Sequence, residues 1–394
     1  MPNATGALDE RLLEGTERIG RADILVGIPS YNNAATIGHV AATVARGLRE
    51  RFADRSVVIV NSDGGSKDGT SEVVLGATGD IPTIAGAYQG IPGKGSAFRA
   101  VFEIATRLGA RSCAVVDSDL RSITPDWIER LLRPTIDDRA DYVTPLYARH
   151  KHDGTITNSI AYPLTRALYG LRVRQPIGGE FGFSGQLAQR FLEQPVWGTD
   201  VARFGIDIYM TTTALVDERR IAQAFLGAKI HDPKDPGADL APMFVQVVGT
   251  AFALADRHRE AWRQVRGSRP APVIGEITPV EPEAVGASVD VLRRKLAAGE
   301  AEHAALWQQI LGGMPREFGP VSWARIVYDF LAASALRPAD RDAIVRALVP
   351  LYFGRVARFI ADAADLDSAG AERLVEEQAE AFESEKVRLV DRLP

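Results

Sequence analysis

Between residues 22 and 120 the chain alternates β-rich apolar runs with helical patterns, and this alternation restricts the possible architectures most. Residues 22–28 form one apolar run, closed by Pro29-Ser30-Tyr31-Asn32-Asn33. Val40, Val44, Leu48 and Phe52 then recur every fourth residue, the period of one helix face. Residues 56–61 form a second buried-type run, entering the turn-forming cluster Ser62 to Thr70. A weaker strand is expected near 82–85. The glycine-rich segment Gly90-Ile91-Pro92-Gly93-Lys94-Gly95-Ser96 and a helix through about Leu108 come next. Strand and helix in this rhythm predict a doubly wound, mostly parallel α/β sheet.

The next run, Cys113-Ala114-Val115-Val116, stops at Asp117-Ser118-Asp119. In extended backbone, residues i and i+2 share a face, so the two carboxylates can aim at one point. Hard oxygen ligands at a strand end suit hydrated Mg²⁺ or Mn²⁺ shared with phosphate oxygens. In open α/β sheets, ligands bind beyond the carboxyl ends of the strands. The competing reading is that the pair merely opens a turn.

Farther on, residues 141–146 read as a strand, 147–157 as a polar loop and 158–171 as a helix. Gln175-Pro176-Ile177-Gly178-Gly179-Glu180 reads as a tight turn, and residues 204–211 open a helix. A strand over 226–230 ends at His231, before a Pro- and Asp-rich loop through Asp239. Pro270, Pro272, Pro279 and Pro282 mark a linker over 266–284. The domains expected are therefore 1–265, the linker, and an all-helical region 285–394. In that region Leu348, Leu351, Tyr352, Val356, Phe359 and Ile360 make an apolar stripe for packing on other helices or a partner subunit.

A net charge of -5 argues against nucleic-acid binding. The single cysteine, Cys113, excludes a disulfide framework and fits a reducing cytoplasm. Residues 1–20 lack the apolar core of a signal peptide, and no run has the roughly 18 apolar residues of a membrane span.

Over roughly residues 22–245 these motifs, in this order, resemble the nucleotide-diphosphate-sugar glycosyltransferases of the GT-A fold. The nearest resemblance is to the retaining enzymes that make mannosylglycerate, glucosylglycerate and their 3-phospho precursors. It rests on Pro29-Ser30-Tyr31, Gly93-Lys94-Gly95, Asp117-Ser118-Asp119, the turn through Gly178, Gly179 and Glu180, and Gly205-Ile206-Asp207 with His231. The resemblance implies a GT-A sheet with a C-terminal helical region. It also implies hexose transfer, with retention, from GDP-mannose or UDP-glucose to the 2-hydroxyl of D-glycerate or 3-phosphoglycerate. Asp117, Asp119 and His231 would hold the divalent metal. Pro29, Ser30, Tyr31, Asn61, Asp63, Lys94 and Ser118 would bind the nucleotide. Relatives often place an acidic residue just after this first turn, where Asn32 and Asn33 stand here.

Glu180 and Asp207 would act near the sugar, with Gly178 and Gly179 shaping the turn. Arg149, Asp153 and Thr157 would hold the acceptor. Thr155 stands where phosphoglycerate-using relatives carry Arg, which favours plain glycerate, although His150, Lys151 and His152 keep phosphate open. Each assignment has a plainer counterpart: a solvated lysine for Lys94, a surface histidine for His231, and helix capping for Asp207. Other readings are a different acceptor, a sugar-nucleotidyltransferase or a non-catalytic nucleotide-sugar binder. A nucleotidyltransferase would carry a Gly- and Arg-rich loop where Pro-Ser-Tyr-Asn-Asn stands. The expected assembly is a homodimer without nucleic acid or membrane.

Overall fold

The computed structural model describes residues 6–230, 240–278, 280 and 282–393. His231 and the loop through Asp239 lie outside them. The chain forms two compact units that alternate along the sequence, each described here by its own contents. Unit 1 comprises the described residues of Met1–Ala148, Gly178–Asp232 and Ala271–Glu281; unit 2 comprises those of Arg149–Ile177, Pro233–Pro270 and Pro282–Pro394.

Elements are numbered along the chain. Unit 1 holds β1 (Ile24–Ser30), β2 (Val57–Asp63), β3 (Thr83–Ala87), β4 (Ser112–Val115), β5 (Tyr142–Ala148), β7 (Phe181–Ser184), β8 (Ile221–Ala228) and β10 (Val273–Ile274). They form one sheet in the order β10-β8-β5-β7-β4-β1-β2-β3. Every pairing is parallel except those of β7 with β4 and β5. The helices of this unit are α1 (Glu10–Ile19), α2 (Ala34–Arg51), α3 (Thr70–Ala77), α4 (Lys94–Arg107), α5 (Pro125–Ile136), α7 (Gly185–Leu192) and α8 (Ile206–Val216).

The doubly wound sheet expected from the sequence is present. β1 is buried along its whole length, as a strand covered on both faces requires. Val40, Val44 and Leu48 of α2, with Phe52 after it, are at most 1% exposed and form the core with Ile24, Val26 and Ile28. Three details differ from expectation. The strand expected over 226–230 begins earlier, at Ile221. β7 follows the Gly178-Gly179 turn unanticipated, and its Gly182 has no room for a Cβ against the Leu131 carbonyl of α5. The 266–284 segment carries β10, which pairs with β8 in parallel at Val273↔Gln223.

Unit 2 holds β6 (Leu171–Arg172) paired with β9 (Arg269–Pro270), a π-helical turn (Thr157–Ala161) and the helices α6 (Tyr162–Tyr169), α9 (Leu240–Arg257), α10 (Arg259–Arg263), α11 (Val289–Leu311), α12 (Pro320–Leu336), α13 (Arg341–Asp362) and α14 (Ser368–Arg392). The 1–265 span therefore does not make one body, because residues 149–177 and 240–265 sit with the C-terminal helices. The stripe expected on α13 is buried inside the unit, Leu348, Leu351 and Tyr352 completely. Trp307 Nε1 donates to Ala347 O at 2.8 Å, and Arg166 reaches Glu376 and Glu383 at 2.7 Å each. No helix among the described residues is long and apolar enough to cross a membrane.

Candidate active site

The carboxyl end of β1 meets that of β2 in a hydrogen-bond network. Asn61 is fully buried, and its side-chain nitrogen donates to Ser30 Oγ at 2.8 Å and Ile28 O at 3.1 Å. Ser30 Oγ donates to Asp63 at 2.7 Å, and Asp63 also accepts from the Gly65 and Ser66 amides and the Ser66 hydroxyl. Pro29 precedes Ser30 within β1, and Tyr31 extends into solvent at 64% exposure. Asn33, unassigned from sequence, joins this network to the Asp-Ser-Asp turn. Its Oδ1 accepts from the Tyr31 amide at 2.9 Å and the Ser118 hydroxyl at 2.8 Å. Asn33 thus serves as a neutral acceptor where an acidic residue was the family expectation. The Asn61 side chain shapes this corner from beneath, since it is too buried to face a ligand.

Beyond β4 the backbone presents Asp117, and two lysines bind it. Lys94 Nζ lies 2.8 Å from Asp117 Oδ1 and 3.5 Å from Asp207 Oδ1; Lys229 Nζ lies 3.3 Å from Asp117 Oδ2. Lys94 is the first residue of α4 and only 16% exposed, so it is not a solvated loop lysine. The glycines beside it make room for the chain: a Cβ on Gly95 would collide with Val201 O, and the Gly95 amide donates to Arg203 O at 3.1 Å. Close packing of the 201–203 backbone is what these glycines permit.

Lys229 leaves the end of β8 and gathers three further acceptors. Its ammonium contacts Glu180 Oε2 at 2.9 Å, Glu180 Oε1 at 3.0 Å and Gly178 O at 2.9 Å. Sequence reasoning missed it; its place two residues before His231 was the available signal. Glu180 is fully buried and also accepts from the Tyr147 hydroxyl. The expectation that Glu180 faces sugar hydroxyls directly therefore changes: here its carboxylate grips Lys229 and Tyr147. Asp207 is the second residue of α8, inside the helix whose N-cap is Gly205. It accepts from the Gly179 amide at 3.1 Å, while its buried Oδ1 faces the Lys94 ammonium. Gly179, at φ +96°, brings these groups together, because a Cβ there would run into Asp117 Oδ2 and lie 2.9 Å from Lys229 Nζ.

Three carboxylates and two ammonium groups thus share one buried cluster, and they titrate differently. Burial opposes ionisation of Asp117, but Lys94 and Lys229 outweigh it and hold its carboxyl well below the usual range. Burial pushes Glu180 up to about 7, with Lys229 opposing and Asp117 reinforcing the shift. Asp207 is raised by burial against the pull of Lys94. Lys94 stays charged despite burial because Asp117 and Asp207 face it. The cluster therefore sets a lysine that keeps its charge beside the Glu180 carboxyl, which exchanges its proton near neutrality.

Asp119 follows two residues after Asp117 and is half-buried. Among the described residues no group of three His, Cys, Asp or Glu side chains forms a metal cage. Asp117 and Asp119 nevertheless supply the hard oxygen donors that Mg²⁺ or Mn²⁺ takes alongside phosphate oxygens. Two ammonium groups are already seated on Asp117, so a metal there would compete with Lys94 and Lys229.

The residues matched to the acceptor lie in unit 2. Arg149 Nη1 pairs with Asp153 at 3.1 Å, and Thr157 is buried at the start of the π-helical turn. Lys151 is committed to the end of α13, donating to Ala363 O, Ala364 O and Leu366 O at 2.8–2.9 Å. His152 Nδ1 lies 3.0 Å from Val285 O, and its ring meets that of His150 edge-on. Thr155 shares a 2.6 Å hydrogen bond with the Tyr352 hydroxyl.

Residues 25–189 match the family model described as glycosyl transferase family 2. No curated protein matches the chain. Similar solved structures include glucosyl-3-phosphoglycerate synthase from Mycobacterium tuberculosis with Mn²⁺, uridine diphosphate and glucosyl-3-phosphoglycerate. It is 24% identical over 64% of this chain and 85% of that chain, with a TM-score of 0.47. The complex of that enzyme with phosphoglyceric acid is 23% identical over 64% and 85% of the two chains, with a TM-score of 0.48. The complex with Mg²⁺ and uridine diphosphate is 23% identical over the same shares, with a TM-score of 0.47.

Proposed function

We propose that unit 1 binds a nucleoside-diphosphate sugar with a divalent metal and transfers its hexose to a small acidic acceptor. The observation that carries this reading is the convergence of Asp117, Glu180 and Asp207 on Lys94 and Lys229, in a chain whose residues 25–189 match glycosyl transferase family 2. The nucleoside would lie against the β1–β2 corner of Ser30, Tyr31, Asp63 and Ser118.

Asp117 and Asp119, with His231, would hold the metal, which supplies Lewis-acid stabilisation of the departing diphosphate. Lys94 is placed to receive diphosphate charge once Asp117 turns to the metal. Lys229, gripped by Glu180, keeps its ammonium at a defined point and so is pre-organised to meet developing negative charge. Asp207 Oδ1, buried with the Lys94 ammonium 3.5 Å away, would accept a further hydrogen bond from a sugar or acceptor hydroxyl.

The finer reading is GDP-mannose or UDP-glucose as donor, D-glycerate or 3-phosphoglycerate as acceptor, and retention at the anomeric carbon. The ties of Lys151 to three carbonyls favour the unphosphorylated acceptor. The test pairs each donor with each acceptor in the presence of Mn²⁺, with product NMR. An α-linked glyceryl hexoside is expected; a β-linkage from the α-donor, or donor hydrolysis without transfer, contradicts the reading. Asp119→Ala is expected to fold normally and lose turnover; turnover unchanged in that variant, with and without EDTA, removes the metal role.

A further inference from the structure

A second charged recess in unit 1 shares no residue with the candidate active site. It has a volume of about 420 Å³ and is walled by Arg51, Asp126, Glu129, Arg130, Arg133 and Arg139, with Ile274 and Gly275 at its rim. Four guanidinium groups face two carboxylates. Even with Asp137, which pairs with Arg139 at 2.9 Å, cations are in excess.

Several of these arginines are held in place. Arg130 donates to Phe225 O and lies over Gly275; at φ +88° that residue bears no side chain, and a Cβ would come 2.9 Å from Arg130 Nη1. The guanidinium of Arg133 lies 4.4 Å from the Phe52 ring centroid, and its Nη2 donates to Arg51 O at 2.6 Å. The carboxylate between them is held loosely, Glu129 standing 3.4 Å from Arg51 and 3.7 Å from Arg133. Arg51 itself is paired closely with Asp126 at 2.6 Å.

We propose that this recess binds a small, multiply charged phosphate-bearing anion, which takes the place of Glu129 between Arg51 and Arg133 and engages Arg139 at the mouth. Planar guanidinium forks match phosphate oxygens bidentately. The volume exceeds that of a lone phosphate and falls within the range of small-molecule sites. The site is independent of the donor reading above, since none of its residues belongs to that cluster.

The probe is inorganic pyrophosphate, titrated calorimetrically at low salt without metal into the full chain, Arg133→Gln/Arg139→Gln and Lys94→Ala. The expected result is a site present in the wild type and Lys94→Ala but at least about tenfold weaker in the double variant, the scale of losing one charge-assisted hydrogen bond. Binding that the double variant retains in full, binding lost only with Lys94, or no binding to the wild type overturns the proposal. Should the double variant fail to fold, Arg139→Gln, at a 64% exposed side chain, carries the same comparison.

Discussion

A methyl group on Gly179 has nowhere to go: it would collide with Asp117 and crowd Lys229, on backbone already in the left-handed region. Gly179→Ala is therefore expected to lower turnover by about 100-fold, the scale of a 1 Å misplacement of reacting groups, while circular dichroism stays near wild type. A smaller loss would mean that the cluster tolerates Asp117 in another position. Lys229 tests a different property. Its side chain is 6% exposed and that of Glu180 fully buried, so removing the ammonium takes away the cation that Glu180 grips and leaves it the Tyr147 hydroxyl. Lys229→Met is expected to cost roughly 3 kcal/mol in urea unfolding, the low end for breaking a buried pair. Cys113 makes a simpler case: burial alone raises its thiol far above the usual range, so thiol reagents are expected to label it only after unfolding.

At the scale of elements, the strands and helices up to β4 were legible because parallel strands read as continuous apolar runs and α2 keeps its period. The motif loops were legible for the same reason, since Gly and Pro cluster where the chain turns. β7 was not legible: Phe181–Ser184 is four residues long, and Gly182 is set by the Leu131 carbonyl, a tertiary neighbour. Lys229 carried no local pattern, and its role emerges only when β8 brings it beside Glu180. The recess on α5 was equally silent, because Arg51 and Arg139 meet there only after folding. Among the helices of unit 2, Lys386 on α14 donates to Trp262 O at 2.7 Å and Val265 O at 3.1 Å. Burial, aided by Arg266, lowers it to about 8. The native state thus sheds this proton before the unfolded chain does. Stability is expected to rise with pH from about 8 to the ordinary lysine value, 10.5, and to level off above it. Denaturant midpoints across that window measure the slope; Lys386→Met should flatten it, and an unchanged slope would assign the effect elsewhere.

At the scale of the whole molecule, the candidate residues fall in two units whose segments alternate along the sequence. Unit 1 carries the carboxylate–lysine cluster, unit 2 carries Arg149, Asp153 and Thr157, and the family match over residues 25–189 includes segments of both. Burial of the α13 stripe inside unit 2 takes that face away from any homodimer, leaving assembly to other surfaces. A thermal-shift panel of UDP, GDP and ADP with Mg²⁺ is expected to single out one base, since a ligand that binds the native state raises its melting point. Equal shifts for all three would place recognition on the diphosphate alone. The most direct measurement is an anomalous difference map from crystals grown with Mn²⁺ and the nucleoside diphosphate chosen by that panel. The expected map has a manganese peak between the carboxylates of Asp117 and Asp119, with Lys94 released towards the diphosphate. Nucleotide density without that peak, with Asp117 still seated on both lysines, would contradict the account.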